Sequence, residues 1–162
     1  MRRVLTAVSL IGLLTAVGGG AAYAEKQTVA GSGDITTLVA NNATNKLTAK
    51  VSGLGPKCGG AQYLHVFVKN RNGRLLYEAD GDCISAQWGI GLFYTPTGVR
   101  EDAEPVACPD FAITRNSGVY TVSMPRTCLD HAPNRLKLKV EGANFGTMTG
   151  GTAGPTRVLD RG

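Results

Sequence analysis

The chain has 162 residues and a formal net charge of +5, with 17 basic and 12 acidic residues. Because this excess is mild and no basic run or basic helix face is present, we expect no nucleic-acid partner. The low aromatic content of 6% and the 22 glycines favour short strands with many turns over long helices.

The first two dozen residues have the features of a secretion signal. Arg2 and Arg3 form a positively charged start, residues 4–17 are almost wholly apolar, and Ala22-Tyr23-Ala24 fits the A-x-A cleavage rule. The apolar run is shorter than the roughly 20 residues that a membrane span needs. We therefore predict a signal peptide over 1–24, secretion to the extracellular space, and no membrane span after cleavage.

The next part of the chain predicts a leader followed by strands. Residues 25–33 are polar and contain glycine, so we expect a flexible leader there and one folded domain over 34–162. Residues 35–39 are short and β-branched, as in a strand. Apolar and polar side chains alternate over 47–52 and again over 64–69, which is the pattern of half-buried strands.

Two hairpins are expected in the middle of the chain. Asn72-Gly73 supplies the left-handed backbone of a tight turn, after which residues 75–79 return as the partner strand. The residues from 88 to 95 are rich in glycine and aromatic side chains and are interpreted as another strand. The second hairpin joins 111–114 to 119–124 around a turn at Gly118.

The last part of the chain contains the clearest strand, at 135–141, where apolar and charged residues alternate. A glycine-rich flexible loop is predicted over 142–154, and a final strand over 156–160. No segment has a sustained helical apolar stripe. We therefore predict an all-β fold, namely a single-domain antiparallel β-sandwich, jelly-roll or immunoglobulin-like, of about eight or nine short strands.

An even number of cysteines in an exported chain predicts disulfides, and this chain contains Cys58, Cys83, Cys108 and Cys128. The first two are placed almost symmetrically about the Asn72-Gly73 turn, and the last two are centred on Gly118. Residues equidistant from a hairpin turn face each other. Of the three possible connectivities we therefore favour Cys58–Cys83 with Cys108–Cys128.

Three segments of the chain carry a family resemblance: residues 108–129, with Val119-Tyr120-Thr121-Val122 inside them, the Asp34-Ile35 strand, and the closing residues 157–162. They resemble small secreted actinobacterial β-sandwich proteins of unassigned function. The strand pattern is similar to the jelly-roll sandwiches of some carbohydrate-binding and haem- or sugar-binding extracellular modules. The resemblance implies a fold over 34–162 rather than a function.

Several charged residues are candidates for catalytic or metal-binding groups. His65 lies within a strand without a nucleophile motif, so we interpret it as a structural or partly exposed strand histidine. Asp130-His131 is interpreted as a solvated turn. Glu78, Asp80 and Asp82 are interpreted as solvated loop charges, with calcium binding or glycoside hydrolysis as the alternatives. We expect no catalytic residues, no metal and no other cofactor.

Aromatic residues give the most suggestive binding signal. Trp88, Phe93 and Tyr94 lie close together in the glycine-rich stretch, and flat aromatic faces suit sugar rings and protein partners. The alternative is that Trp88 fills the core.

The sequence favours a secreted, non-enzymatic binding module whose partner is a cell-envelope polysaccharide or a secreted protein. One alternative is a protease-inhibitor-like protein that presents a disulfide-braced loop around Thr95-Pro96-Thr97. A small hydrolase is a third and weaker candidate.

Overall fold

The computed structural model describes residues 24–147 and 150–162, so the predicted signal peptide lies, except for Ala24, outside the described residues. These residues form twelve strands: β1 (Glu25–Gly33), β2 (Thr37–Asn42), β3 (Lys46–Ser52), β4 (Ala61–Asn70), β5 (Leu75–Ile84), β6 (Gln87–Tyr94), β7 (Glu104–Pro105), β8 (Ala112–Asn116), β9 (Val119–Pro125), β10 (Arg135–Asn144), β11 (Gly151–Ala153) and β12 (Leu159–Asp160). Their helical elements are short 3-10 turns at Arg100–Asp102 and Arg126–Cys128, and neither has the length and apolar character to cross a membrane.

The strands form one continuous antiparallel sheet, in the order β7-β6-β5-β4-β10-β11-β1-β2-β3-β9-β8, with β12 paired to β10. The long strand β1 makes this continuity possible. Its residues from Glu25 to Ala30 pair with β2, and its last three residues pair with β11. The sheet therefore curls into a half-barrel of twelve strands, instead of the predicted sandwich of eight or nine.

The two halves of the curled sheet share one core. Strands β3 and β9 each turn every second side chain inward, and their buried residues meet in register as the pairs Leu47–Met124, Ala49–Val122 and Val51–Tyr120. Strands β4 and β10 do the same from the other half, with Val66 opposite Val140 and Val68 opposite Leu138. Burying apolar surface on both halves is the main favourable contribution to this closure.

Residues 25–33 differ from the sequence prediction. They form β1 rather than a flexible leader, with alternating half-buried and exposed side chains. Their side chains are too polar to indicate a core strand. The strand forms because the backbone groups of β2 and β11 need partners, and a ladder of main-chain hydrogen bonds does not depend on side-chain polarity.

The predicted glycine-rich loop over 142–154 also differs from the structure. Strand β10 continues to Asn144, and β11 begins at Gly151. Gly151 is required at its position because a Cβ there would lie 2.3 Å from the backbone nitrogen of Ile35. A glycine in this stretch therefore allows close backbone packing rather than flexibility.

Both predicted disulfides are confirmed. Cys58 bonds to Cys83 with their Cα atoms 5.3 Å apart, and Cys108 bonds to Cys128 at 5.7 Å. The first bond lies at the open end of the β4–β5 hairpin, and the second spans the open end of the β8–β9 hairpin. Hairpin symmetry therefore predicted the pairing correctly.

Candidate functional site

The outer face of β4, β5 and β10 carries an unusual set of charged side chains. The strand register places His65 opposite both Asp80 and Glu141, and Phe67 opposite both Glu78 and Lys139. All these residues point away from the core, because they alternate with the buried apolar residues. We call the following residues the outer-face cluster: His65, Glu78, Asp80, Asp82 and Arg100.

Glu78 is the most buried charged residue of the cluster, with only 3% of its surface exposed. Arg100, from the 3-10 turn, extends over the sheet and donates to both carboxylate oxygens, its Nε lying 2.6 Å from Oε2. Burial alone would raise the pKa of Glu78, but hydrogen bonds from His65 and Arg100 outweigh it and lower this pKa. Glu78 is therefore an ionised, fully paired carboxylate.

His65 bridges two carboxylates. Its Nε2 lies 3.1 Å from Asp82 Oδ1, and its Nδ1 lies 3.3 Å from Glu78 Oε1. Burial of the ring opposes its charged form, but the hydrogen bonds to Glu78 and Asp82 and the charge of Asp80 raise the pKa of His65 to about 9. His65 is therefore a cation at neutral pH, with both N–H groups used.

Asp80 is the member of the cluster that forms no ion pair among the described residues. Its Oδ1 is buried and has no hydrogen-bond partner among the described residues. Burial raises the pKa of Asp80 to about 7. The charge of His65 opposes this, whereas the negative charges of Glu78 and Asp82 and a hydrogen bond from the protonated carboxyl group to Glu78 add to it. A half-buried carboxyl group without an ion-pair partner and with a perturbed pKa is typical of a functional site more than of a solvated surface.

A cleft of about 190 Å³ lies beside Asp80 and is bounded by Asp82, Ile84, Ile90 and Phe93. We call it the Asp80 cleft. The β6 residues opposite Asp80 and Asp82 are both glycines, so no side chain fills the space in front of the two carboxyl groups. The result is a small opening with acidic groups at one side and the apolar side chains of Ile84 and Phe93 beside it.

One glycine of β6 also allows the position of the aromatic ring in the cleft. A Cβ on Gly91 would lie 2.6 Å from the ring of Phe93, so the ring covers the backbone where a side chain would otherwise stand. The stretch of glycines and aromatic residues in β6 therefore has a structural consequence, which is a shallow cleft with one ring against it.

The structure separates the three aromatic residues predicted to bind a partner. Phe93 lies on the outer face, whereas Trp88 and Tyr94 are on the opposite side of β6 and pack against the core. Trp88 is half-buried with its ring 5.8 Å from that of Tyr120. Tyr94 stacks on His131 at 4.4 Å. Of the three, only Phe93 therefore adjoins the outer-face cluster.

The prediction that Glu78, Asp80 and Asp82 are solvated loop charges is wrong, because all three lie on β5 and Glu78 is buried. The predicted strand ended at Ala79. A signal was present in the sequence, since acidic residues at every second position fall on one face of a strand. What the sequence did not show is that His65 and Arg100 converge on the same face.

No family model, no curated protein and no solved structure matched this chain. The resemblance to small secreted actinobacterial proteins therefore stays an expectation. The fold and the site define the class of molecule in structural terms, as an all-β, disulfide-bonded protein with a charged cluster on one sheet face.

Proposed function

We propose that this chain is a secreted, non-enzymatic binding module that contacts a secreted protein or a cell-envelope polysaccharide through the outer-face cluster and the Asp80 cleft. The observation that carries the proposal is the burial of charge on a sheet face. Glu78 is 3% exposed, Asp80 Oδ1 has no hydrogen-bond partner among the described residues, and both residues lie on the sheet face that points away from the core.

Stability does not account for this arrangement. Removing charged groups from water is costly, and apolar residues of similar size often stabilise a protein more than a buried ion pair does. The outer face of a sheet is also the face where side chains need not be buried. Charges held there in a defined geometry are therefore better explained by recognition of a partner.

The small volume of the cleft supports binding over catalysis. Sites for small-molecule substrates enclose about 300–1,000 Å³, whereas the Asp80 cleft has about 190 Å³. A space of this size suits one side chain or one sugar substituent. The hydrolase alternative would need room for a substrate between two carboxyl groups.

The protease-inhibitor alternative is supported less well. It needs a freely presented loop at Thr95-Pro96-Thr97, but Thr95 is completely buried. The Arg74 side chain donates to the carbonyl of Pro96, which holds this loop against the β4–β5 turn. Protease-binding loops must enter the active site of their target, so the buried start of this loop favours the binding module.

Secretion is part of the proposal, and two observations support it. The chain begins with the features of a signal peptide. The described part of the chain has two disulfides, which persist in oxidising compartments and are rare in the cytosol.

The proposal is tested with the mature protein, residues 25–162, immobilised and exposed to concentrated secreted proteins and to purified cell wall of the producing organism. We expect saturable capture from one of these fractions. Replacing Phe93 with Ala should weaken it at least tenfold, because the ring borders the cleft. Thr114→Ala, an exposed change on β8, is the matched control and should bind normally. Equal capture by all three proteins would contradict the proposal.

A further inference from the structure

We propose that the Asp80 cleft binds the basic side chain, lysine or arginine, of a partner protein. This inference rests on the proposed function and specifies the chemistry of the ligand. It depends on the balance of charge in the outer-face cluster and on the shape of the cleft.

The charge balance leaves Asp80 without a counter-ion. Glu78 is paired with Arg100, and Asp82 is paired with His65. On the neighbouring strand β10, Glu141 is neutralised by Lys139, whose Nζ lies 2.6 Å from its carboxylate. Among the described residues no basic side chain forms an ion pair with Asp80. A ligand cation would supply both the missing charge and a donor for the unpartnered oxygen.

The walls of the cleft match the rest of a long basic side chain. Ile84, which is 67% exposed, lies on the same sheet face as Asp80 and Asp82 and borders the cleft together with Phe93. The methylene groups of lysine or arginine pack on such surfaces while the charged end reaches the carboxylates. The ring of Phe93 is also a surface over which a cation is attracted.

The exposed Ile84 beside the cleft favours a protein over a polysaccharide. Large apolar side chains left in solvent next to a polar cleft are typical of protein interfaces. Sugar chains are recognised mainly by hydrogen bonds and by flat aromatic faces, and the lining of the cleft includes one aromatic side chain, Phe93. A polysaccharide with amino groups could also supply a positive charge for Asp80, but it is therefore the less favoured ligand.

A divalent cation is the other species that the charge balance would admit. His65, Asp80 and Asp82 each offer a ligand atom, and these atoms lie within 4.8 Å of one another. However, His65 Nε2 is already 3.1 Å from Asp82 Oδ1, so a metal would have to break this contact and displace a proton from the ring. An ammonium or guanidinium group needs neither change.

The binding should depend on pH in a defined direction. The groups that face Asp80 are Glu78 and Asp82 on β5, His65 on β4 and Arg100 above them, while β6 contributes only glycine and Phe93. Asp80 must be ionised to attract a cation, and its pKa is raised to about 7. Affinity should therefore rise between pH 6 and pH 8 and weaken as the carboxyl group is protonated.

The test uses three pentapeptides, Gly-Ser-X-Ser-Gly, in which X is lysine, Nε-acetyl-lysine or norleucine, and a fourth with arginine. Each is titrated at pH 8 into ¹⁵N-labelled mature protein, and amide shifts are followed by NMR. We expect saturable shifts at Ile90 and Gly91 with the lysine or arginine peptide. The acetylated and norleucine peptides should bind at least tenfold more weakly, since they keep the stem and lose the charge.

The variant Asp80→Asn should also weaken lysine-peptide binding at least tenfold, whereas Asp110→Asn, at an exposed aspartate in the loop before β8, should have no effect. Equal binding of lysine and norleucine peptides, or of wild type and Asp80→Asn, would overturn the inference. So would shifts at Ile90 and Gly91 produced by Ca²⁺, Zn²⁺ or glucosamine oligomers but not by the basic peptides. The peptide series uses the unmodified protein, so it decides the matter even if Asp80→Asn fails to fold.

The inference and the proposed function fail in different ways. If Asp80→Asn captures the natural partner as well as wild type does, while Phe93→Ala does not, the binding module stands and the basic-side-chain ligand is wrong. If neither variant alters capture, the outer face is not the contact surface and both are wrong.

Discussion

At the scale of single residues, Asp80 combines a buried oxygen that has no hydrogen-bond partner among the described residues with a raised pKa. A carboxyl group with a buried and unpartnered oxygen destabilises the folded state whenever it is ionised. Neighbouring Glu78 and Asp82 avoid this because each has a cationic partner. Local destabilisation of the folded state of this kind is common at functional sites.

We predict that Asp80→Asn stabilises the free protein at pH 8 by about 1–2 kcal/mol, a figure reduced for partial exposure. The folded-state pKa of Asp80, about 7, is above the ordinary aspartate value of 3.8, so the folded state holds the proton more tightly. The wild type therefore loses stability from about pH 4 to pH 7. Urea unfolding from pH 4 to pH 8 measures the free energy of unfolding of both proteins. The difference between Asp80→Asn and the wild type should become smaller as the pH falls.

The matched control for that experiment is Asp82→Asn. Asp82 is hydrogen-bonded to His65, so the same chemical change should remove a favourable contact and lower stability. Stabilisation by both variants would point to a general relief of negative charge. Destabilisation by Asp80→Asn at pH 8 would mean that the ionised Asp80 carboxylate is not an unfavourable charge in the folded protein.

Alanine variants of Trp88 and Phe93 should affect stability and partner binding differently. Trp88 packs against Tyr120 and its Nε1 is buried, so Trp88→Ala should cost about 3 kcal/mol, at the low end for a large aromatic residue. Phe93→Ala should cost less and should reduce partner capture. Chemical denaturation and the capture assay measure the two effects. Iodide should quench Trp88 fluorescence weakly, and strong quenching would instead indicate an exposed ring.

At the scale of elements, the two hairpins β4–β5 and β8–β9 are each closed by a disulfide at the open end. The cysteines are separated by 25 residues in the first hairpin and by 20 in the second. Cys83 lies at the end of the same strand that carries Glu78, Asp80 and Asp82. The first disulfide therefore holds together the two strands from which most of the outer-face cluster arises.

We predict that the double variant Cys58→Ser with Cys83→Ser loses about 3 kcal/mol, from the greater freedom of the unfolded chain. It should also weaken capture of the partner, because β4 and β5 position the outer-face cluster. The double variant Cys108→Ser with Cys128→Ser is the control, and it should lose similar stability but keep partner binding. Thermal unfolding measures the loss of stability in each double variant, and the capture assay measures the loss of binding. Equal loss of binding in both variants would argue against a specific role of the Cys58–Cys83 bond in positioning the outer-face cluster.

At the scale of the whole molecule, β1 is the strand through which the curled sheet stays continuous. It pairs with β2 over six residues and with β11 over three. Two halves that share a core are thereby also joined through main-chain hydrogen bonds. The molecule can then present a charged outer face on β4, β5 and β10 over a rigid support.

We predict that a variant beginning at Asp34 is destabilised by more than about 3 kcal/mol, corresponding to a fall of at least about 6 °C in melting temperature. The deletion leaves edges of β2 and β11 without partners. A variant beginning at Gln27, which keeps most of β1, serves as the control and should lose much less. If residues 25–33 were a flexible leader, both variants would melt like the full mature protein.

The sequence alone was sufficient for the features that depend on neighbouring residues. The Asn72-Gly73 turn needs a left-handed backbone, and apolar residues alternate at Leu136, Leu138 and Val140, so the hairpin and the β10 strand were both predictable. The disulfide pairing followed from the same hairpins. The all-β class therefore came from local patterns.

The tertiary structure decided what depends on residues far apart in the chain. Strand β1 forms because β2 and β11 offer it backbone partners, although its polar side chains give no sign of a strand. Arg100 is 22 residues from Glu78 and 35 from His65, and only the folded sheet brings these charges together. Burial and pairing determine whether a carboxyl group is solvated or perturbed, and neither is encoded in the local sequence around Asp80.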